Sequence, residues 1–275
     1  MALKTYVLPP NLTTHPGGLF TVGTIIADPL RPSKPLSVPS QPLDVAVHRE
    51  LDREVERSST KGISTSVWAQ FLQVASANLS GEISSEVRSS YVVDCLETIS
   101  LLEDPSDEYA ESRASEPKVK AAMNSGVLGR QPVYMFTGLK IAKGFRWSST
   151  QGRKVEGKAG VSVPVTDQVT AGAELGAGRG TENRDSSRTE DDIIFAYQLH
   201  VIADKGWRKK KSTAELYVPK VGFLGKKYAL EKVVVDAALI TADDLSDFAE
   251  ESEEVVNIVE ANDGDVVCRC VFLVA

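Results

Sequence analysis

Apolar residues hold nearly every odd position from Ala159 to Ala177: Ala159, Val161, Val163, Val165, Val169, Ala171, Ala173, Leu175 and Ala177, interrupted only by Asp167. The even positions between them are Gly, Ser, Pro, Thr, Gln and Glu. This is period-two alternation, the signature of a strand with one apolar and one polar face, held far beyond the usual ~5–6 residues. A glycine-rich, charged turn follows from Gly178 to Glu190, and then Ile193, Phe195, Tyr197, Leu199 and Val201 resume the odd-apolar pattern. The two runs predict one long β-hairpin. On this reading His200 falls on the polar face, solvated or hydrogen-bonded.

Elsewhere the pattern is shorter. Residues 17–27 predict an early strand, followed by Pro29, Pro32, Pro35, Pro39 and Pro42, which fix φ and remove donors and so predict extended surface chain. Leu43–Arg57 and Val67–Val74 fit either a strand or a helix face. From Leu79 to Leu101 the odd positions Ile83, Val87, Tyr91, Val93, Cys95, Ile99 and Leu101 are apolar and Val92 and Leu96 break the rule, predicting two strands with a break near Glu86–Ser90. A helix is predicted over Glu116–Asn124, closed by Gly126. Pro132–Trp147 predicts a strand with Val133, Met135, Leu139, Ile141 and Phe145 on one face. Strands are expected near Ala214–Val218, a helix near Leu230–Thr241, and a terminal hairpin from Glu254 to Ala275 turning through Asn262-Asp263-Gly264. Together these elements predict an α+β fold: a twisted central antiparallel sheet with long β-hairpins and surrounding helices.

Charge divides the chain unevenly. The net charge is −7, yet ten acids from Asp243 to Asp265 stand against one base, Arg269, so residues 1–242 are near neutral. The expected organisation is a body, 1–242, and an acidic C-terminal regulatory or capping segment, 243–275. No apolar run approaches a transmembrane helix, and Met1-Ala2-Leu3-Lys4-Thr5-Tyr6 lacks the apolar core of a signal peptide, so the expected location is the cytoplasm. Cys95, Cys268 and Cys270 are expected as free thiols.

The constellations of catalysis are missing from the sequence. His15, His48 and His200 have no metal-ligand spacing, Cys268 and Cys270 have no second pair, and no Gly-x-Ser-x-Gly occurs. Gly176-Ala-Gly178-Arg-Gly180 lacks the Lys-Ser/Thr of a phosphate loop and suits a hairpin tip. No catalytic residue, metal or cofactor is therefore expected. The basic run Arg208, Lys209, Lys210 and Lys211 suits an anionic lipid surface or a solvated loop; few aromatics and the acidic total speak against nucleic acid. Arg31 and Lys34 form a second small basic patch.

A membrane-spanning strand needs ~9–11 residues, apolar outside and polar inside. Residues 159–177 meet that requirement, although a long curved hairpin on a soluble sheet would show the same alternation. A lone hairpin cannot insert, because its edges would leave backbone groups unpaired in hydrocarbon; a closed barrel from many subunits pairs them all.

Three stretches resemble a known family. Gly18-Leu-Phe-Thr-Val-Gly-Thr-Ile-Ile-Ala-Asp-Pro-Leu-Arg-Pro is similar to the first strand and loop of the gasdermin pore-forming domain. Glu116-Pro-Lys-Val-Lys-Ala-Ala-Met-Asn with Gln131-Pro-Val-Tyr-Met-Phe-Thr-Gly-Leu-Lys-Ile-Ala-Lys resembles its short helix and central strand, and Ala159–Ala203 its second membrane hairpin. Phe71–Leu101 would be the first hairpin. The compact gasdermin-like regulators of cell death in filamentous fungi, which act in allorecognition (heterokaryon incompatibility), are the nearest in kind. The resemblance implies a non-enzymatic cell-death effector that binds acidic phospholipids, assembles into ring oligomers and inserts two hairpins per subunit into the plasma membrane as a lytic β-barrel. It also implies control by the short tail, a resting homodimer, a non-self homologous partner or an activating protease. Pro9-Pro10 stands where the family carries a basic amphipathic helix. The reading from another class is a soluble, non-enzymatic ligand-binding or protein-interaction module.

Overall fold

Two strands that are apolar at both odd and even positions form the centre of the sheet. In the computed structural model, which describes residues 3–10, 12–57, 66–80, 87–126, 130–152, 182–188, 192–205 and 235–274, these are β5 (Val133–Lys143) and β8 (Ile193–Asp204). They pair antiparallel from Val133↔Ile202 to Ala142↔Ile193, with irregularities between Phe136 and Gly138 and between Lys140 and Ile141. Each irregularity shifts the pleat by one residue, so the side chains on one face change parity. Val133 and Met135 therefore point one way and Leu139 and Ile141 the other. This corrects the expectation that all four share a face.

Around this pair the other strands are β1 (Lys4–Val7), β2 (Ile25–Ile26), β3 (Val45–Arg57), β4 (Val87–Leu101), β6 (Arg146–Gly152), β7 (Glu182–Arg188), β9 (Val235–Leu239), β10 (Val256–Asp263) and β11 (Val266–Leu273). The sheet runs β10-β11-β1-β8-β5-β4-β6-β7, with β2 on β5, β3 on β4 and β9 on β8. Among these pairings only β1 with β11 is parallel. The fold is α+β, with a curled, mostly antiparallel sheet and four described helices.

The helices begin where the sequence supplies a cap. Helix α1 (Val67–Ser80) starts at Ser66, whose Oγ accepts from Ala69 N. Helix α2 (Asp107–Ala114) is capped by Ser106, and α3 (Pro117–Met123) opens on a proline. In α4 (Ala242–Glu251), Thr241 and Asp244 form a reciprocal capping box. One face of the sheet is covered by α1, through Trp68, Phe71 and Phe195, and by α2 and α3, through Ala110, Val119, Met123 and Met135. The opposite face is covered by α4 and by the stretch from Leu19 to Leu30.

Several expectations change. Residues 17–27 hold only the two-residue β2. Leu43–Arg57 resolves to a strand and Val67–Val74 to a helix. Of the segment read as two strands over 79–101, residues 79–80 end α1 and Val87–Leu101 form one continuous strand, β4, while 81–86 lie outside the described residues. Residues 235–239, read as helix, are β9, and the helix starts at Ala242, where the capping box stands. The terminal hairpin is as expected: Gly264 has φ +64°, which a β-carbon would strain. The 242/243 division falls one residue inside α4.

Candidate functional site

The most distinctive geometry lies where the sheet narrows into a ribbon. Gly144, at φ +65°, ends β5 and turns the chain into β6. β6 continues along β4 in the register that β5 holds, from Cys95↔Lys143 through Val92↔Arg146 to Val87↔Gln151. β4 also pairs β3 from Val45↔Leu101 to Arg57↔Ser89, and β6 pairs β7 from Arg146↔Arg188 to Gly152↔Glu182. The result is a four-stranded antiparallel ribbon in the order β3-β4-β6-β7. Strand directions alternate across it. Consequently the link from β3 to β4 and the link from β6 to β7 depart from the same end. Residues 66–80 of the first link, between β3 and β4, are described and hold α1; the second link, between β6 and β7, lies outside the described residues.

Those links carry much of what the alternation singled out. Ala159, Val161, Val163, Val165, Val169, Ala171, Ala173 and Leu175 lie in the second link, outside the described residues; the basic run Arg208–Lys211 and the strand expected at 214–218, beyond β8, are also outside the described residues. The first link contains α1. Its sequence extends the ambiguity of Val67–Val74 in both directions: Ile63, Val67, Phe71, Ala75, Leu79 and Ile83 are apolar at a spacing of four. The same residues fit both a helix face and a strand face. In this structure the helix is formed, and Phe71, expected on a first hairpin strand, is fully buried on it.

The second arm of the expected hairpin has a different position. Ile193, Phe195, Tyr197, Leu199 and Val201 are all buried in β8. Ile193 and Phe195 pack under α1, while Tyr197, Leu199 and Val201 face the α4 side. β8 is bonded to β5 on one edge and to β1 and β9 on the other, so both edges are occupied. It is an interior strand here, and the partner of β6 is β7. The alternation misled because the pleat shift at Lys140/Ile141 breaks the parity. His200 is buried, its Nδ1 2.9 Å from Thr137 Oγ1, and its Nε2 lies 3.3 Å from Asp104.

Of the basic residues proposed to meet lipid, Arg31 is exposed and bonds Glu254 of the acidic segment at 3.0 Å, and Lys34 is exposed. Arg31 is the exposed partner and Glu254 is largely buried, so water screens the pair from one side only. The acidic segment is itself woven into the fold, with Cys268, Cys270 and Val271 fully buried on β11.

A polar cluster missed by sequence reading lies beneath α1. Lys140 on β5 is buried; its Nζ donates to Asp263 Oδ1 at 2.7 Å and to Thr98 Oγ1 at 3.0 Å. The Tyr6 hydroxyl donates to Asp263 Oδ2 at 2.7 Å. Burial alone would raise the Asp263 carboxyl, but the bond to and attraction of Lys140, with the Tyr6 hydroxyl, outweigh it and hold it below the ordinary value. Burial and the neighbouring carboxylate push the Tyr6 phenol up. Trp68 Nε1, close by, is buried with no hydrogen-bond partner in the structure. This cluster connects the first strand, the central strand and the C-terminal hairpin. A second network lies nearer the ribbon: Glu97 takes Arg49 Nε at 2.6 Å and Lys143 Nζ at 2.8 Å. Burial opposes ionisation of Glu97, and the two cations override it, so its carboxyl also sits low.

Among the described residues no three His, Cys, Asp or Glu side chains converge to hold a metal ion, and no helix is long and apolar enough to cross a membrane. The latter says nothing of strands. No family model matches the chain, and no curated protein matches it.

Proposed function

We propose that the protein is a pore-forming effector that binds acidic phospholipids, oligomerises, and converts the β3–β4 and β6–β7 links into membrane-spanning β-hairpins of a lytic barrel. It would rest in the cytoplasm and act at the plasma membrane. The observation that carries this reading is the ribbon. Two links leave one end of four alternating strands, so extending each strand through its link produces two hairpins side by side.

The dimensions agree. Folded at its midpoint, each link supplies arms of about 14 residues, or about 46 Å; at a 45° tilt that spans about 33 Å, against a hydrocarbon core of ~30 Å. The ribbon strands themselves are polar, with Arg, Glu, Ser, Asn and Asp prominent in β6 and β7. They suit the watery stem of such a barrel, and the alternating Ala159–Ala177 run suits its membrane part. Direction agrees as well: β7 of one copy would lie antiparallel to β3 of the next, so copies can close into an all-antiparallel barrel with no free edge.

Conversion has an energetic barrier. Extending the first link dismantles α1 and removes Val67, Trp68, Phe71, Leu72 and Val74 from the core. At roughly 1.5–3 kcal/mol per large apolar side chain this loses on the order of 10 kcal/mol. Lipid contact and strand pairing between copies must replace it, so the change should occur at a membrane and not in water. A gasdermin-like fold and role, as the sequence resemblance implies, belongs to this same proposal.

Dye release from anionic and neutral liposomes tests it. The protein should leak anionic vesicles; Val161→Asp, Val163→Asp or Val169→Asp should abolish leakage, while Thr166→Asp or Gln168→Asp should retain it. Absence of leakage across lipid compositions, or equal effects in both classes of variant, would favour the protein-interaction module instead.

A further inference from the structure

The tip of the C-terminal hairpin folds over the face of the sheet that α1 covers. Asp263 ends β10, and Lys140 lies on β5, four places away in the strand order β10-β11-β1-β8-β5. With ~4.8 Å between neighbouring strands, a flat sheet would hold the two about 19 Å apart, beyond the reach of both side chains together. Lys140 Nζ is nevertheless 2.7 Å from Asp263 Oδ1. The sheet therefore curls until the hairpin tip meets its central strand. Ser66 and Trp68 at the start of α1 line one small cavity there with Thr98, Lys140, Asn262 and Asp263.

The same tip holds the start of α1. Asn262 bridges Ser66 in the parallel sense, and Ser66 caps the helix. Behind the tip, Ala261, Cys268 and Cys270 share one buried cluster with Val67, Trp68 and Phe71. The helix has little of its own to sustain it. Its first turn has no acid and its last turn no base to complement the dipole, and its apolar positions suit a strand as well. Such a helix depends on tertiary contact. The strands beneath it are held differently: β5 is laddered to β4 and β8, and β11 to β10 and β1, whether or not α1 is in place.

We propose that the hairpin tip, residues 262–264, is a releasable clasp on α1. While Asp263 holds Lys140 and Asn262 holds Ser66, α1 stays helical on the sheet. When the tip lifts, α1 leaves as one unit and the β5–β8 pair remains folded, a local opening short of global unfolding. Lifting the tip breaks its contacts with Lys140, Tyr6 and Ser66 and leaves the β1–β11 ladder intact. The clasp is a property of the chain in water, and its test does not rest on the pore reading. Under that reading it is the restraint that the β3–β4 link must escape before it can extend, so whatever displaces the tip at a membrane would start the conversion.

Hydrogen exchange of the full chain at neutral pH, read by mass spectrometry, tests the clasp. In the wild type the α1 amides should exchange at least about tenfold faster than those of β5 and β8. Asp263→Asn keeps an acceptor for Tyr6 and removes the charge, and should speed α1 exchange at least about tenfold more. Bridged residues stand about 5 Å apart, within the range a disulfide spans, so Ser66→Cys/Asn262→Cys can tie the helix to the tip. Oxidised, this double variant should lose the gap between α1 and the central strands; reduced with dithiothreitol, it should regain it. The loss of the Ser66 cap is common to both forms and cancels. If Asp263→Asn fails to fold by circular dichroism, the cross-linked pair decides alone. A wild-type α1 that exchanges no faster than β5 and β8, an α1 rate unmoved by Asp263→Asn, or an oxidised variant that keeps the gap overturns the proposal. Exchange is read without lipid, so failure here and failure of leakage are separately visible.

Discussion

Replacing Asp263 by alanine strands the Lys140 ammonium in the core. The Lys140 side chain is only 6% exposed and its counter-charge is Asp263, 19% exposed. Removing one partner of a buried pair typically costs ~3–5 kcal/mol, because the remaining charge stays buried. Water reaches the Asp263 side of this pair, which places the expected loss at the lower end, about 3 kcal/mol. The Tyr6 hydroxyl also loses its acceptor. Lys140→Met should cost less: the stranded carboxylate lies at the partly exposed end and keeps the Tyr6 bond, and methionine fills the lysine stem's space. The Asp263→Ala/Lys140→Met double variant should therefore be more stable than Asp263→Ala alone. Urea unfolding at pH 7 reads all three. The pH dependence carries its own sign. The folded Asp263 carboxyl lies below its unfolded value of ~3.9, so its contribution is complete above that pH and is lost as pH falls through the folded value. The gap between wild type and Asp263→Ala should thus close in acid. A loss under ~1 kcal/mol at pH 7, or Lys140→Met proving the costlier change, would refute the assignment of Lys140 as the buried charge.

Gly144→Ala should destabilise by at least ~1 kcal/mol, measured by thermal unfolding, because φ is +65° and the new methyl would collide with the Asp94 carboxylate that pairs with Arg146. Cys95 is half-buried while Cys268 and Cys270 are fully buried, so alkylation of the native protein should modify Cys95 alone and reach all three thiols only in denaturant. Hydrogen bonding with Cys268, and burial, push the Cys270 thiol up, which slows it further. Truncation after Thr241 removes α4, β10 and β11 and uncovers β1, so the product should be insoluble; a soluble product that leaks vesicles would identify the tail as an inhibitor and not a structural element.

Local pattern determined much of this molecule. The terminal hairpin was legible because Asn262-Asp263-Gly264 supplies a turn that only a few residue types accept. The helix over 117–123 was legible from the glycine, Gly126, that closes it, and Ala159–Ala177 stood out as an alternating run by side-chain period alone. Where two periods coincide, the sequence left both open. Residues 67–80 satisfy helix and strand at once, and packing of Trp68 and Phe71 against Phe195 and Phe145 decides for the helix. Tertiary structure alone decided the rest. The pleat shifts in β5 and β8 separate Ile193 and Phe195 from Tyr197, Leu199 and Val201, because bulges depend on the partner strand and leave no local residue signal. The pairing of β6 with β7, and hence a ribbon whose two links leave one end, is a long-range ladder that no window of sequence contains. The Tyr6–Asp263–Lys140 cluster is of the same kind: its members stand at the start, middle and end of the chain, and only the parallel docking of β11 on β1 brings their charges together.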